Sequence, residues 1–360
     1  ALAAWAIPLG GVPLPEHRAL IYAASALESF TGGLGTAAFL AFLMAIVRRE
    51  HSAAEYALLS SVFAASRSVA GWAGGIGAQA MGYAPYFLLT FFLAFPAYLL
   101  LPWVRRMLDA QAQRETETFH KYLRRHTEVT DVLFTGGDPL VMRAWHLRAY
   151  IEPLLGPKYE HIRHIRIGSK ALAFWPYKFV TDPDADTLLR LFERVVASGR
   201  HLALMAHFTH PRELETPIVR RAIERIRGTG AVIRTQAPLV RHINDSANTW
   251  ADLWRTQAGL GLVPYYMFVE RDTGPKGYFE VPLADAHDIF RRAFRQVSGL
   301  ARTVRGPSMS ATPGKVVVLG TQEVKGEKVF ILSFLRGRHR EWVGRPFFAK
   351  FDPRATWLDQ

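Results

Sequence analysis

Long apolar stretches dominate the first hundred residues, and short apolar runs alternate with amphipathic ones over the remainder. Residues 19–47, ALIYAASALESFTGGLGTAAFLAFLMAIV, carry one charge, Glu28, and exceed the roughly 20 residues that cross a hydrocarbon core. Residues 52–80 form a second apolar stretch interrupted by Glu55 and Arg67, and residues 85–104 a third with no charge. The pattern predicts an all-α transmembrane segment over residues 1–108 with spans at about 19–47, 52–80 and 85–104. Three successive stretches argue against a cleaved signal peptide, which has one short apolar core.

From residue 130 the period changes. β-rich runs at Asp131 to Thr135, His164 to Gly168, Leu202 to His207, Ala231 to Thr235 and Val263 to Phe268 alternate with helical periodicity at Ala144 to Leu155, Asp184 to Ser198, Pro217 to Gly228 and Asn248 to Ala258. Repeated βα order predicts an α/β fold, a parallel barrel or part-barrel, with an open doubly wound sheet as the other architecture.

Charge sharpens the division. Of 44 Lys/Arg and 31 Asp/Glu, residues 1–108 hold six and four, so nearly all the excess positive charge lies beyond them. Basic residues collect on cytoplasmic loops. Arg48 and Arg49 close the first span and Arg105 and Arg106 the third, which predicts the inner (plasma) membrane with residues 105–360 on the cytoplasmic side. There is no run of five basic residues, so nucleic acid is not an expected partner. Glu28, inside a span, fits either a proton or substrate path or the membrane interface. Gly32, Gly33 and Gly35, and Gly71, Gly74, Gly75 and Gly77, mark where helices approach closely.

Zero cysteines exclude disulfides, thiolate metal sites, cysteine nucleophiles and cysteine-ligated clusters. The remaining candidate chemistry falls at strand carboxyl ends, where parallel barrels gather it. Thr135, Gly136, Gly137 and Asp138 form a glycine turn that suits either a ligand head group or a plain strand-to-helix connection. Arg166, Ser169 and Lys170 place cations and a hydroxyl together. His207 and His210 lack a third metal ligand nearby, and Gln236, Asn244 and Asp245 fit ligand contacts or turns equally.

The ordered blocks DVLFTGGDPL (131–140), HIRIGSK (164–170), AHFTHP (206–211), RTQAPLVRHIND (234–245), PYYMFVERDTGPKGYF (264–279) and GPSMSATPGKVVV (306–318) resemble the lysine 2,3-aminomutase family of radical S-adenosylmethionine enzymes. The resemblance implies a radical-SAM-type part-barrel over 120–300 and a pyridoxal phosphate-site extension over 301–360. It also implies an amino-acid substrate whose amino group moves between neighbouring carbons. Thr135, Gly136, Gly137, Asp138, His207 and Gln236 match S-adenosylmethionine contacts, and Lys315 matches the lysine that carries pyridoxal phosphate. ESFTGGLGTAAFLAFLMAIVRREHSAAEYALLSS resembles the closing helices of major-facilitator muropeptide permeases of the AmpG type, implying a lipid bilayer and the missing transporter helices as partners.

Two departures modify these implications. Where the family holds a lysine side chain with two aspartates, ungapped alignment gives Arg271 and Ser308, with Asp272 one place away. An arginine there suits an acidic amino acid by bidentate pairing, and a one-residue bulge restoring Asp272 reverses that preference. The family also needs a Cys-x3-Cys-x2-Cys segment for its [4Fe–4S] cluster about forty residues before the TGGDPL loop, a position occupied here by FLAFPAYL. The chain is therefore expected to lack radical activity. Residues 109–119 are expected to be a junction between two partial genes, and a chain opening on Ala1 is expected to be a fragment.

Overall fold

The computed structural model describes residues 18–47, 52–93, 95–271 and 275–360. The chain divides into two compact units, Ala1–Phe119 and His120–Gln360.

The first unit is helical: α1 (Arg18–Ile46), α2 (Ser52–Met81), α3 (Tyr83–Leu93), a 3-10 turn (Phe95–Leu100) and the start of α4 (Leu101–Arg125). Two helical stretches, Ser25–Met44 and Pro85–Arg125, are long and apolar enough to cross a membrane by length and composition. The expected span over 52–80 is helical, but the serines and glycines of α2 dilute its apolarity and it is not among them. The expected span over 85–104 is not one continuous α-helix. Pro96 and Pro102 each lack an amide hydrogen and crowd the preceding turn, so the chain tightens to 3-10 geometry there. Gly74 and Gly77 admit the Tyr86 ring, which a Cβ would meet at 2.5 and 3.0 Å. Residues 109–119 continue α4; Arg48 and Arg49 lie outside the described residues.

In the second unit, nine strands among the described residues form one sheet in the order β1 to β9. Strands β1 (Asp131–Phe134), β2 (His164–Ser169), β3 (His201–His207), β4 (Val232–Leu239), β5 (Val263–Val269) and β6 (Arg305–Ala311) are parallel. Strands β7 (Gly314–Val324), β8 (Glu327–Gly337) and β9 (Pro346–Lys350) add antiparallel. Because each parallel strand lies beside its predecessor, right-handed crossovers put every connecting helix on one face. A doubly wound sheet would reverse strand order at a switch point, so that alternative is excluded.

The longer helices are α5 (Ala144–Ile151), α6 (Ala185–Ala197), α7 (Pro217–Gly228), α8 (Ala247–Gly259) and α9 (Leu283–Arg295). Apolar residues at helical spacing explain their docking: α6 buries Leu188, Leu191, Phe192 and Val195, and α7 buries Val219, Ala222, Ile223 and Ile226. Strand β4 alternates strictly, with Ile233, Thr235, Ala237 and Leu239 buried and Arg234, Gln236 and Pro238 half-buried on the opposite face. That opposite face carries the unusual side chains.

The β6–β7 turn is sterically demanding. Gly314 has φ +153°, and a Cβ there would sit 2.2 Å from the Arg336 carbonyl oxygen. Gly314→Ala is expected to cost about 1–3 kcal/mol, read as a lower denaturant midpoint, because β7 and β8 must separate. An unchanged midpoint would contradict this packing.

Candidate functional site

Register assembles the site. His207 on β3 pairs with Gln236 on β4, Gln236 with Tyr266 on β5, and Tyr266 with Arg305 on β6. These four positions form a row about 4.8 Å apart per strand. Between Thr235/Gln236 and Pro264/Tyr266 the register slips by one, leaving Tyr265 as an extra residue. Such a bulge re-aims side chains. Tyr265 and Tyr266 are both half-buried with centroids 4.4 Å apart, and Tyr266 stacks on Phe268 at 5.1 Å and 17°.

Lys315 lies over this aromatic ladder, its Nζ 4.2 Å from the Tyr266 centroid and 4.5 Å from that of Phe268. Burial first, then the like charges of Arg166 and Arg336, push its pKa down to about 8. A substantial fraction of its amine is therefore neutral, and so nucleophilic, near physiological pH. Burial pushes the Tyr266 phenol up. His207, mostly enclosed, is held below the ordinary histidine range by burial and then by the Lys170 charge.

The glycine turn after β1 is built by hydrogen bonds. Asp138 Oδ1 accepts from the Leu140 amide at 3.0 Å and the Ser169 hydroxyl at 2.7 Å, and Oδ2 accepts from the Lys170 amide at 2.7 Å. The carboxylate thereby ties this turn to the end of β2. Gly136 and Gly137 occupy the left-handed region at φ +91° and +55°, and with Thr135 they are exposed. Lys170 Nζ donates to Thr209 Oγ1 at 3.0 Å and pairs with Glu213 at 3.1 Å.

Of the positions singled out in the sequence, His207, Gln236 and Lys315 share the open sheet face, with the Thr135–Asp138 turn at its carboxyl end. Ser308 is fully buried, its hydroxyl donating to the Met267 carbonyl at 3.4 Å. Arg271 lines a small recess with Glu270, Glu280, Thr356 and Trp357. Asp272 lies outside the described residues. His210 accepts from the Arg212 amide as a cap, and Asn244 donates to the Thr209 and Pro238 carbonyls. The aromatic ladder had no assigned role in the sequence; its signal was the run PYYMF opposite the alternating β4.

The chain matches no protein-family model. A solved radical SAM methyltransferase from Sphaerobacter thermophilus aligns over 54% of this chain and 57% of its own, at TM-score 0.37 and 16% identity. An inferred L-lysine 2,3-aminomutase of Aquifex aeolicus is 35% identical over 250 residues, 69% of this chain and 64% of the relative. The L-lysine 2,3-aminomutase of Escherichia coli is 29% identical over 206 residues, 56% of this chain and 57% of the relative. The glutamate 2,3-aminomutase of Clostridioides difficile is 26% identical over 180 residues, 50% of this chain and 40% of the relative. The chain thus spans less than two thirds of the length of these curated relatives. Over the aligned residues, this chain is similar in sequence to L-lysine 2,3-aminomutases.

Proposed function

We propose that His120–Gln360 is an amino-acid 2,3-aminomutase domain that holds pyridoxal phosphate on Lys315, and that this chain carries out no radical step unaided. The observation that carries the reading is the half-buried Lys315 amine, its pKa lowered to about 8, seated over Tyr266 and Phe268. These residues fit the cofactor: the neutral amine meets an aldehyde, the stacked rings offer an aromatic surface to a flat heterocycle, and Arg166 and Arg336 supply positive charge. When bound, pyridoxal phosphate supplies an electron-accepting ring for chemistry at an amino-bearing carbon. The aromatic side chains exclude water from the amine, and burial first, then the charges of the two arginines, lower its pKa so that part of it is neutral near physiological pH.

A cysteine-ligated [4Fe–4S] cluster does not fit, since this sequence has no cysteine. Among the described residues no group of three or more His, Asp or Glu is arranged to hold a metal. Thr135, Gly136, Gly137, Asp138, His207 and Gln236 remain the positions for S-adenosylmethionine, with both Asp138 oxygens already engaged in the turn. For the substrate, Arg271 suits a side-chain carboxylate. Glutamate is expected to bind the pyridoxal-loaded chain more tightly than lysine by calorimetry, and the reverse order would exclude an acidic substrate.

The test of the main reading is borohydride reduction of the full chain after incubation with pyridoxal phosphate, followed by peptide mass spectrometry. The expected result is a pyridoxyl adduct chiefly on Lys315. A folded sample with no adduct at Lys315 refutes the assignment.

A second reading concerns Ala1–Phe119. Leu27, Phe30, Leu34 and Met44 on α1 are all more than half exposed, an apolar surface that suits lipid. In this reading the unit is a transporter remnant in the plasma membrane, needing partner helices for transport, with residues 105–360 cytoplasmic. Retention in membranes after carbonate extraction, with protease reaching residues 105–360 only from the cytoplasmic side, is the expected outcome. Release by carbonate would exclude it.

A further inference from the structure

Toward the amino-terminal ends of the parallel strands, the open sheet face carries a second cationic cluster that the Lys315 reading leaves unused. Its centre is Tyr265, the bulge residue of β5. The Arg234 guanidinium lies 5.2 Å from the Tyr265 ring centroid and that of Arg305 lies 5.3 Å from it. Arg305 also hydrogen-bonds the side chain of Tyr266. Among the described residues neither arginine has a carboxylate within ion-pairing distance. The acid whose charge reaches His201 in this cluster, Asp131, is engaged at 2.8 Å by Arg166. His164 and His201 begin β2 and β3 in register, their rings 5.9 Å apart.

Two guanidiniums oriented by one ring present planar donor forks without a counter-charge. Stacking on the ring reduces the freedom that each must lose on binding. One fork satisfies a carboxylate, whereas two forks match a tetrahedral dianion with three free oxygens. We propose that Arg234 and Arg305, organised by Tyr265, form a receptor for a phosphate or phosphomonoester dianion. The site does not rest on the reading of Lys315: loss of the Lys315 adduct with phosphate binding intact would overturn that reading and leave this one standing.

The surroundings provide an independent readout. Burial, then the charges of Arg234 and His164, hold His201 below the ordinary histidine range, while Asp131 opposes them. A bound dianion reverses the sign of the local field, so the His201 midpoint moves upward.

The test titrates inorganic phosphate into the full chain in a neutral detergent, by calorimetry and by histidine proton resonances. Expected are saturable binding, an upward shift of the His201 midpoint, and affinity at least about tenfold weaker in Arg234→Gln and in Arg305→Gln. Arg190→Gln, at an exposed position of α6, is expected to change nothing. Phenyl phosphate, which has no aldehyde to engage Lys315, separates the sources. If Arg305→Gln weakens its binding as well as that of inorganic phosphate, the anion is a phosphomonoester; if it weakens inorganic phosphate alone, the site takes the free ion. No saturable binding by the wild-type chain, or equal binding in wild type and both arginine variants, overturns the proposal without requiring any variant to be more than soluble.

Discussion

Lys178→Met is expected to lower the stability of the His120–Gln360 unit by about 3–5 kcal/mol at neutral pH, the usual result of leaving a buried charge without its partner. Lys178 is 1% exposed, and its Nζ lies 2.8 Å from Asp184 Oδ1 and 5.3 Å from the Trp175 ring centroid. Asp184 Oδ2 accepts from the Ala144 amide at 2.6 Å, so the pair joins the start of α6 to the start of α5. Burial raises the Asp184 pKa, but the hydrogen bonds from Lys178 and Ala144, the bond with Asp182 and the Lys178 charge outweigh it and the carboxyl ends below its ordinary value. A depressed carboxyl pKa adds stability above the unfolded value and loses it as pH falls through the folded one. In Lys178→Met the carboxyl protonates more readily, so the deficit is largest at pH 7 and shrinks near pH 4. Urea midpoints should differ by more than about 1 M at pH 7. Lys178→Met combined with Asp184→Asn should recover part of the loss. Equal deficits at both pH values would mean that lost packing, not charge, sets the cost.

Local signals dictated much of this fold. Pro217 at the first helical position, Val219, Ala222, Ile223 and Ile226 at i, i+3, i+4 and i+7, and arginines in the last turn mark α7 at both ends and on its buried face, and the helix runs Pro217–Gly228 as the sequence predicts. The βα repeat was equally legible, because β2 and β4 alternate and the helices between strands bury one stripe. The β7–β8 hairpin has a local cue as well, a Lys325–Gly326 turn with φ +52° and +82° between the two paired strands. Other features depend on register between distant segments and leave no local trace. The bulge that turns Tyr265 beside Tyr266 appears only when β4 and β5 pair. Ser308 aligns with a substrate position, yet Phe268 and Val317 in register on either side leave it covered. Asp138 could be seen as a turn residue or a ligand group from GGDP alone; its three hydrogen bonds identify it as the tie between two strand ends.

Capture of pyridoxal phosphate by Lys315 is expected to rise with pH about a midpoint near 8, far below that of an exposed lysine. Well below that midpoint, a pKa of about 8 in place of 10.5 makes the reactive neutral amine about 300-fold more abundant. Burial is the first cause of the depression and the charges of Arg166 and Arg336 the next, which predicts the order of the variants. Phe268→Ala, which admits water beside Nζ, should move the midpoint upward more than Arg336→Gln, which removes one like charge. The same depression has a stability consequence. With the folded value below the unfolded one, the fold favours the neutral amine and is penalised when Lys315 is protonated, so Lys315→Met should stabilise the unit below pH 8 and lose that advantage above about 10. An amine whose charge is disfavoured at a cost to the fold is expected of a reactive group, whereas a structural lysine would be replaced without gain. Measuring adduct formation from pH 6 to 11, with denaturant midpoints of Lys315→Met at pH 7 and 10, checks both halves. A midpoint of capture near 10, together with no stabilisation by Lys315→Met at pH 7, would make Lys315 an ordinary surface cation over two aromatic rings.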